Sequence, residues 1–540
     1  MTIRTDVALP AVHPFAGTDL TTALAERASR FGEQTFLVWE PGPGEPEAWT
    51  YREFAAEVDR VAAGLAARGV GPGDAVVLLL ENSPAFLFGW FACARLGAVA
   101  IDTNTRYAAD ELRHAFDLTG AIGAVTHAHL LDRLADSGTE LDWTVTIDED
   151  SGTCPDLVGD PSSLPLHTPD PGAPLCVQFT SGTTSRPKAV LFTHANALWG
   201  GRVGAAHARF AADDTVLVYA PLFHTAALSW QTLSAFWAGA TVVLLPRYTA
   251  SRFWDISLRH RCTQTNVLGI MLKTLGEQPV PEHSYRAWQF GMETPVLAER
   301  FAVRLFNAWG MTEVVTQPII NDPDFPVDDG AIGRAALEYE VRVAREDGTD
   351  SPIGEPGDLL IGGVRGLSIF AEYLNDPAAT ADAFDQQGFF RTGDRVVRLP
   401  SGALRFAGRA KDMLKVGGEN VAAGEIERVL AGVPGVTGAA VVGRPDRILD
   451  EVAVAFLTVR AGVDEATVRA GAVEACAAQL ADFKVPRDVY VIDELPESLL
   501  GKIAKATLRD EAIKRMNDAP SDTEGDIAER PNGSAAGEIR

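Results

Sequence analysis

The sequence predicts an α/β protein: a large N-terminal domain of layered βα sheets that carries a β-rich subdomain, followed by a small α+β domain. Three observations lead there. A length of 540 residues exceeds one ordinary domain, and 46% hydrophobic content fills a large core and a smaller one. From Leu20 to about Asn307, segments of helical period alternate with short β-rich runs, the pattern of layered parallel sheets. From Glu340 to Phe406 hairpins replace this alternation, with turn signals at Asp347-Gly348, Glu355-Pro356-Gly357-Asp358 and Ser401-Gly402.

Taken in order, the pattern predicts a helix over 51–68, a strand over 75–80, a helix over 85–96 and a strand over 98–102. Strands follow over 175–179, 215–219, 241–245 and 265–268, most of them leading into Ala- and Leu-rich helical segments. After Gly408-Arg409-Ala410-Lys411-Asp412 a separate α+β pattern begins: helices over 424–430 and 465–480, strands over 439–442, 452–457 and 489–492. The expected partition is an extension over 1–16, a large domain over 17–407, a hinge over 408–412, a C-terminal domain over 413–515 and an acidic tail over 516–540. The tail has too few apolar residues to offset its ordering entropy and is predicted to be disordered.

A formal charge of −26 argues against a protein that coats nucleic acid or an anionic membrane, so anionic ligands need local basic groups. Five scattered cysteines without a C-x-x-C pair suggest neither a disulfide framework nor a zinc site. With no apolar leader after Met1 and no run of the ~18 apolar residues a membrane span needs, a cytoplasmic protein is expected.

Following the apolar strand to Phe179, Thr180-Ser181-Gly182-Thr183-Thr184-Ser185-Arg186-Pro187-Lys188 concentrates five hydroxyls, a glycine and two cations, expected between a strand and a helix. Such a loop can wrap a polyphosphate, with backbone N–H groups and hydroxyls donating and Lys188 neutralising charge. It is not a Walker A loop, because Pro187 stands where that motif has glycine. Taken alone, the stretch also reads as a polar surface turn.

The segment resembles the signature loop of the adenylate-forming superfamily of acyl-CoA synthetases, peptide-synthetase adenylation domains and luciferases. Further resemblances follow in that family's order: Pro221-Leu222-Phe223-His224, Trp309-Gly310-Met311-Thr312-Glu313, Arg391-Thr392-Gly393-Asp394, the hinge Gly408 to Asp412, Gly417-Gly418-Glu419-Asn420 and Gly501-Lys502. The likeness runs from about Leu20 to Arg509. It implies an AMP-forming ligase that uses ATP and Mg²⁺, with a small-molecule acid and CoA as substrates and a mobile small domain as lid.

The resemblance also implies residue roles. Thr180, Ser181, Gly182, Thr183, Thr184 and Lys188 would hold the β and γ phosphates, Thr312 the α-phosphate and Glu313 the Mg²⁺. Asp394 would take the ribose hydroxyls, Trp309 would stack on adenine, Asn307 would read the base edge, and Arg409 would lie near ribose or phosphate. Lys502 would bind the attacking carboxylate and the α-phosphate when the small domain closes about Lys411 or Asp412. Gly417 and Gly418 would line a tunnel for the thiol of phosphopantetheine, and His224 would stand at the mouth of the acyl pocket. No CoA-nucleotide site is legible; Arg444 is a candidate only as a basic residue of the small domain.

Two departures bear on the substrate. Ser185 and Ala189 replace the glycines that commonly flank the family's P-K pair, and Phe290-Gly291-Met292-Glu293-Thr294-Pro295 stands where many members have G-G-A-P. Trp230, Met292 and Glu293 are the acyl-pocket candidates, Glu293 either as a substrate reader or as a solvent-facing residue. The loop, residues 248–254, Glu299-Arg300-Phe301 and Ile332-Gly333-Arg334 are similar to the crotonobetaine/carnitine-activating subgroup, and Trp230, Trp288 and Tyr339 could offer ring faces to a quaternary ammonium. The leading expectation is an acid:CoA ligase. Rivals deliver the acyl group to an amine or a carrier thiol, or activate an unusual acid or a small inorganic oxyanion. A non-catalytic nucleotide-binding protein is the reading from another class, and Lys188, Glu313, Asp394 and Lys502 together argue against it.

Overall fold

The computed structural model describes residues 2–42, 44–148, 151–180, 187–267, 269–290, 295–322, 325, 328, 330–409, 413–460, 462–496 and 505–518. Among the described residues the strands form four sheets. The alternation before residue 307 builds two of them. One has the order Glu372–Tyr373, Lys188–Thr193, Pro174–Thr180, Val99–Asp102, Ala75–Leu79, Gly123–Thr126, Trp143–Thr146. The other runs Arg334–Ala335, Ile319–Ile320, Arg304–Trp309, Ala287–Phe290, Gln264–Asn266, Thr215–Val218, Thr241–Leu244, Thr35–Trp39, Glu47–Thr50. Both are parallel in the middle and antiparallel at an edge. Edge strands can return by hairpins, whereas central parallel strands need helical crossovers.

Helix Pro84–Leu96 lies between these two sheets and is buried along its length except at Arg95. Its sequence is apolar on all sides, as a helix covered on both faces requires. Phe86 and Phe91 join Val76 and Leu78 of one sheet to Val216 and Val242 of the other in a single core. Leu217, Val243 and Trp288 face a second core on the far side of their sheet, and Val77, Val99 and Val177 a third.

One expectation is corrected. Residues 181–187 connect two strands, not a strand to a helix, because Lys188–Thr193 pairs antiparallel with Pro174–Thr180 and brings Lys188 opposite Thr180. The run Ala189 to Phe192 is buried and packs as strand. The helix starts only at His194, where the Thr193 side chain accepts from Asn196 N–H and Asn196 answers as a capping box. Lys188 therefore opens a strand, six residues before the helix begins.

The hairpins predicted after Glu340 form the sheet Glu340–Ala344, Pro356–Gly362, Phe390–Arg398, Leu404–Arg409. From Met413 the chain enters a fourth sheet, with Glu419–Ala422, Met413–Val416, Asp450–Val459 and Val436–Asp446 in order and Asp488–Val491 parallel on Asp450–Val459. Helices Ala423–Ala431 and Glu465–Gln479 cover a core of their own with Leu414, Val441 and Leu457. Helix Lys505–Asp518 runs past residue 516, where the sequence predicts the tail to begin. Among the described residues no helix is long and apolar enough to cross a membrane.

This last unit docks on the large one through charge. Glu111, in helix Ala109–Thr119, accepts the Ala481 N–H at 2.8 Å and pairs with the Lys484 ammonium, which also contacts Glu425 at 3.0 Å. All three side chains are buried. Arg106 reaches Asp482 from the same side, Nε to Oδ1 at 2.9 Å, with its guanidinium 4.5 Å from the Phe483 ring centroid.

Candidate functional site

A cleft of ≈ 1710 Å³ is lined by residues of all four sheets, among them Thr180, Trp309, Asp394 and Lys415. At one end Asn307 and Trp309 leave the C-terminal end of strand Arg304–Trp309, the place where open α/β sheets present ligand groups. Asn307 is fully enclosed, and neither its Oδ1 nor its Nδ2 has a hydrogen-bond partner among the described residues. An unsatisfied buried amide costs roughly 1–3 kcal/mol. The Trp309 indole N–H donates to Asp394 Oδ2 at 3.0 Å. Asp394 follows Gly393, φ +76°, where strand Phe390–Arg398 bulges against Pro356–Gly362, and sits opposite Arg409 in the strand register.

Deeper in the cleft Glu313 gathers the central polar cluster. Its Oε1 accepts the Tyr373 hydroxyl at 2.9 Å and lies 3.5 Å from Thr180 Oγ1, while Oε2 is buried without a partner. Burial pushes the Glu313 carboxyl above its ordinary value, against the Tyr373 hydrogen bond and the field of Lys188. The Lys188 ammonium lies 4.3 Å from the Tyr373 ring centroid. Thr312 lines the cleft beside this group.

The backbone here is strained. Val315 takes φ +65°, and Thr316 N–H reaches Val314 O at 2.6 Å, a γ-turn of the rare positive-φ kind in a β-branched residue. It turns the Val315 carbonyl toward Ser229 Oγ, 3.0 Å, and the Trp230 indole N–H, 3.2 Å. Such strain costs about 1–3 kcal/mol and persists where the surroundings over-determine it.

At the other end His224 Nε2 meets Glu419 Oε1 at 3.0 Å, and Asn104 Nδ2 donates to the same oxygen at 3.4 Å. Burial pulls the imidazole down and Glu419 lifts it further, so it ends above its ordinary value. Burial likewise raises Glu419, but the field of His224 wins and holds it below the usual carboxylate range. Glu419 is delivered by a two-residue hairpin: Gly417 and Gly418 take φ +58° and +89° between the paired Val416 and Glu419, and Gly418 lines the cleft. That hairpin needs positive φ at both positions, hence Gly-Gly.

The structure thus brings together Thr180, Lys188, Trp230, Trp309, Thr312, Glu313, Asp394, His224 and Gly418 on one cleft, with Asn307 just behind Trp309 and Gly417 in the same turn as Gly418. Ser181, Gly182, Thr183, Thr184, Met292, Glu293, Lys411, Asp412 and Lys502 lie outside the described residues. Three expectations are corrected. Trp288 is wholly enclosed in the core beyond the sheet, and Tyr339 is buried with its hydroxyl donated to Val314 O, so neither ring is open to a ligand. Arg444 pairs with Asp488 at 2.6 Å inside the last sheet, where it is buried instead of facing the cleft. Tyr373, Val315 and the role of Glu419 were missed. Glu419 stood in the quoted Gly-Gly-Glu-Asn segment, but Tyr373 has no local signal.

The AMP-binding enzyme family model matches residues 24–374, and that of the AMP-binding enzyme C-terminal domain matches 425–502. The chain belongs to the AMP-binding enzyme family and is an AMP-forming ligase of the adenylate-forming acyl-CoA ligase kind. A crotonobetaine/carnitine–CoA ligase of Escherichia coli is 33% identical over 506 residues, 89% of this chain and 97% of that protein. A double mutant of the o-succinylbenzoate CoA synthetase of Bacillus subtilis, bound with its product analogue, is 26% identical with a TM-score of 0.79, covering 90% of this chain and 98% of that one. The same enzyme in complex with AMP gives 0.64 over the same shares.

Proposed function

We propose that the chain is an ATP-dependent acid:CoA ligase working in two steps. A carboxylate oxygen attacks the α-phosphorus of ATP and pyrophosphate leaves; the thiol of CoA then attacks the acyl carbon of the acyl-adenylate and AMP leaves. The observation that carries this reading is the convergence of Trp309 and Asp394, the Glu313 cluster, and the His224–Glu419 pair along one cleft.

In this reading Trp309 stacks on adenine, Asn307 fills its open hydrogen-bonding capacity with the base edge, and Asp394 accepts the ribose hydroxyls with Arg409 close by. The 180–188 loop, with Thr180, Ser181, Gly182, Thr183, Thr184 and Lys188, holds the β and γ phosphates, and Thr312 the α-phosphate. The unpartnered Oε2 of Glu313 would hold a Mg²⁺ through one carboxylate oxygen. That ion would neutralise phosphate charge. Tyr373 fixes the other Glu313 oxygen and so its orientation. Lys502 positions carboxylate and α-phosphate in the first step, after which residues 413–515 turn about Lys411 and Asp412 to bring Gly417, Gly418 and Glu419 to the thiol path.

Two findings support that this structure is in the transfer orientation. Glu419 contacts His224, and the TM-score is higher with the product-analogue complex than with the AMP complex of the same relative. Five buried cysteines without a disulfide suit a cytoplasmic setting.

The test is a mass-spectrometric screen of acids with ATP, with and without CoA or amines, on wild type and Lys502→Ala. We expect AMP and a CoA ester from wild type. Lys502→Ala should lose acid-dependent pyrophosphate exchange yet still convert preformed acyl-adenylate to thioester. AMP without any CoA ester would overturn the acceptor, and equal loss of both half-reactions would overturn the two-orientation mechanism.

A further inference from the structure

Residues 2–9 belong to no helix or strand, yet every second side chain turns inward. Ile3 is buried and Thr5, Val7 and Leu9 are partly buried, while Thr2, Arg4, Asp6 and Ala8 are exposed. That alternation is the pattern of an extended chain laid on a surface it packs against. The segment is seated on a glycine at each end. The Ile3 N–H donates to Gly73 O at 2.7 Å, and a Cβ on Gly73 would stand 2.8 Å from Ile3 O. A Cβ on Gly366 would stand 2.8 Å from Val7 Cγ1 and 3.4 Å from Leu9 Cδ2.

Between these seats the segment passes strand Glu372–Tyr373, at the edge of the seven-stranded sheet with Lys188–Thr193 as its neighbour. Ile3 shares a core with Ala371 and Leu374, which flank that strand, and Val7 packs against the same core. The Thr5 hydroxyl donates to Glu372 Oε2 at 3.4 Å. Successive residues of a strand face opposite ways. Glu372 meets Thr5, and Tyr373 belongs to the core on the other side and gives its hydroxyl to Glu313 Oε1 at 2.9 Å. The residues just before the strand hold Glu313 as well, through the Phe370 N–H donated to Glu313 O at 2.8 Å. Two backbone bonds tie the strand's ends to its neighbour, Ala371 N–H to Leu191 O at 2.9 Å and Leu374 N–H to Ala189 O at 2.8 Å. A two-residue strand falls below the usual length, so what packs on its faces decides how firmly it is held.

We propose that residues 3–9 are a positioning strap for the first half-reaction: Ile3, Thr5 and Val7 brace strand Glu372–Tyr373 from behind and thereby keep the Tyr373 hydroxyl on Glu313. The strap touches no substrate and acts through Tyr373. Without it the strand keeps its backbone bonds but loses its packing, the Tyr373 hydroxyl leaves Oε1, and the Glu313 carboxylate turns away from the place adenylation needs. Acyl transfer, served by the His224–Glu419 end of the cleft, does not depend on the strap. The inference rests on the adenylating reading above.

The test uses the best acid of the screen above and measures acid-dependent pyrophosphate exchange and thioester formation from preformed acyl-adenylate. The variants are Ile3→Asp and Val7→Gly, each alone and combined with Tyr373→Phe, with amide deuterium uptake followed over residues 364–374. Val7→Gly removes only a partly buried side chain and serves where Ile3→Asp unfolds the domain. We expect the kcat of pyrophosphate exchange to fall by about 10-fold in the strap variants, less than a 1 Å misplacement of a reacting group can cost. Thioester formation should stay within about 2-fold, and deuterium uptake over 364–374 should quicken. In the Tyr373→Phe background, where the hydroxyl is gone, the same substitutions should cost less than about 2-fold more. A segment that merely stabilises the domain would slow both half-reactions alike and add its full cost to Tyr373→Phe. Either result overturns the inference, as does unchanged pyrophosphate exchange in both strap variants. No pyrophosphate exchange by the wild type with any acid defeats the adenylating reading, and the inference with it.

Discussion

Replacing Glu111 by glutamine removes the charge that the large unit offers to the small one. In the structure Glu111 accepts the Ala481 N–H at 2.8 Å and pairs with Lys484, and it also caps its own helix through the Ala108 N–H at 2.9 Å. Only the last of these survives when the small unit leaves. Losing one partner of a buried pair costs about 3–5 kcal/mol. Glu425 stays with Lys484 at 3.0 Å, and glutamine still accepts the amide, so we expect about 1–3 kcal/mol, a 5- to 150-fold loss of docked population. The exposed Arg106–Asp482 pair adds little to this. The assay separates the half-reactions: stopped thioester formation from preformed acyl-adenylate, and acid-dependent pyrophosphate exchange. Glu111→Gln should slow the first by that factor and leave the second within about 2-fold. Burial pulls the Lys484 ammonium down, but Glu425 and Glu111 hold it above its ordinary value. A raised lysine gives its stabilisation in full below the unfolded pKa near ~10.4 and loses it only above the raised one, so the effect should be flat from pH 6 to 9. Equal slowing of both half-reactions, or neither, would refute the docking argument.

The His224–Glu419 pair should make transfer pH-dependent. With His224 raised and Glu419 lowered, its contribution is complete below the ordinary histidine value near ~6.5 and fades as pH rises through the raised one. Glu419→Gln should therefore flatten the pH profile of thioester formation across that window. Glu313→Gln should cost about 100- to 1000-fold in pyrophosphate exchange while Tm stays level or rises, since burial already disfavours the Glu313 charge; a lower Tm by calorimetry would contradict this. Gly418→Val, at φ +89°, should block thioester formation while pyrophosphate exchange persists. Gly310→Ala puts a methyl 2.5 Å from Thr316 O and 2.7 Å from the Trp230 ring, and should lower Tm and adenylation together.

Much of the fold was legible because its signals are local. The helix predicted over 85–96 appears as Pro84–Leu96, and the strand over 75–80 as Ala75–Leu79, since apolar period and flanking Gly or Pro specify such elements within one window. The helix expected directly after Lys188 failed because Ala189 to Phe192 is apolar enough for either state, and pairing with Pro174–Thr180 decided it. Trp288 could be taken for a ligand aromatic because spacing does not say which face of a sheet a ring occupies, and Tyr339 because its buried partner, the Val314 carbonyl, is 25 residues away. Glu111 and Lys484 were invisible for a further reason: the pair joins residues 373 apart in sequence and exists only once two separately folded cores meet.

The segment from Asn307 to Thr316 shows why adenylation and acyl recognition are tied in one chain. Trp309 contacts Asp394 at one end of the cleft, with Asn307 behind it, Glu313 carries the central polar cluster beside Thr312, and the Val315 carbonyl accepts from the Trp230 indole. A plain strand alternates sides every residue and would keep these groups on two faces. The turn at Thr312–Val314 and the positive φ of Val315 break that alternation, so one short segment carries Trp309, Thr312 and Glu313 to the cleft and the Val315 carbonyl to Trp230. The strain is held by Ser229 and Trp230 from the π-helical stretch Leu228–Leu233, which itself follows His224. A change at Trp230, the proposed acyl-pocket residue, therefore pulls directly on the backbone that carries Glu313. Trp230→Phe, which keeps the ring and removes only the indole N–H, should on this argument raise KM for ATP as well as for the acid, whereas a wall residue acting on the acid alone would leave the ATP constant unmoved.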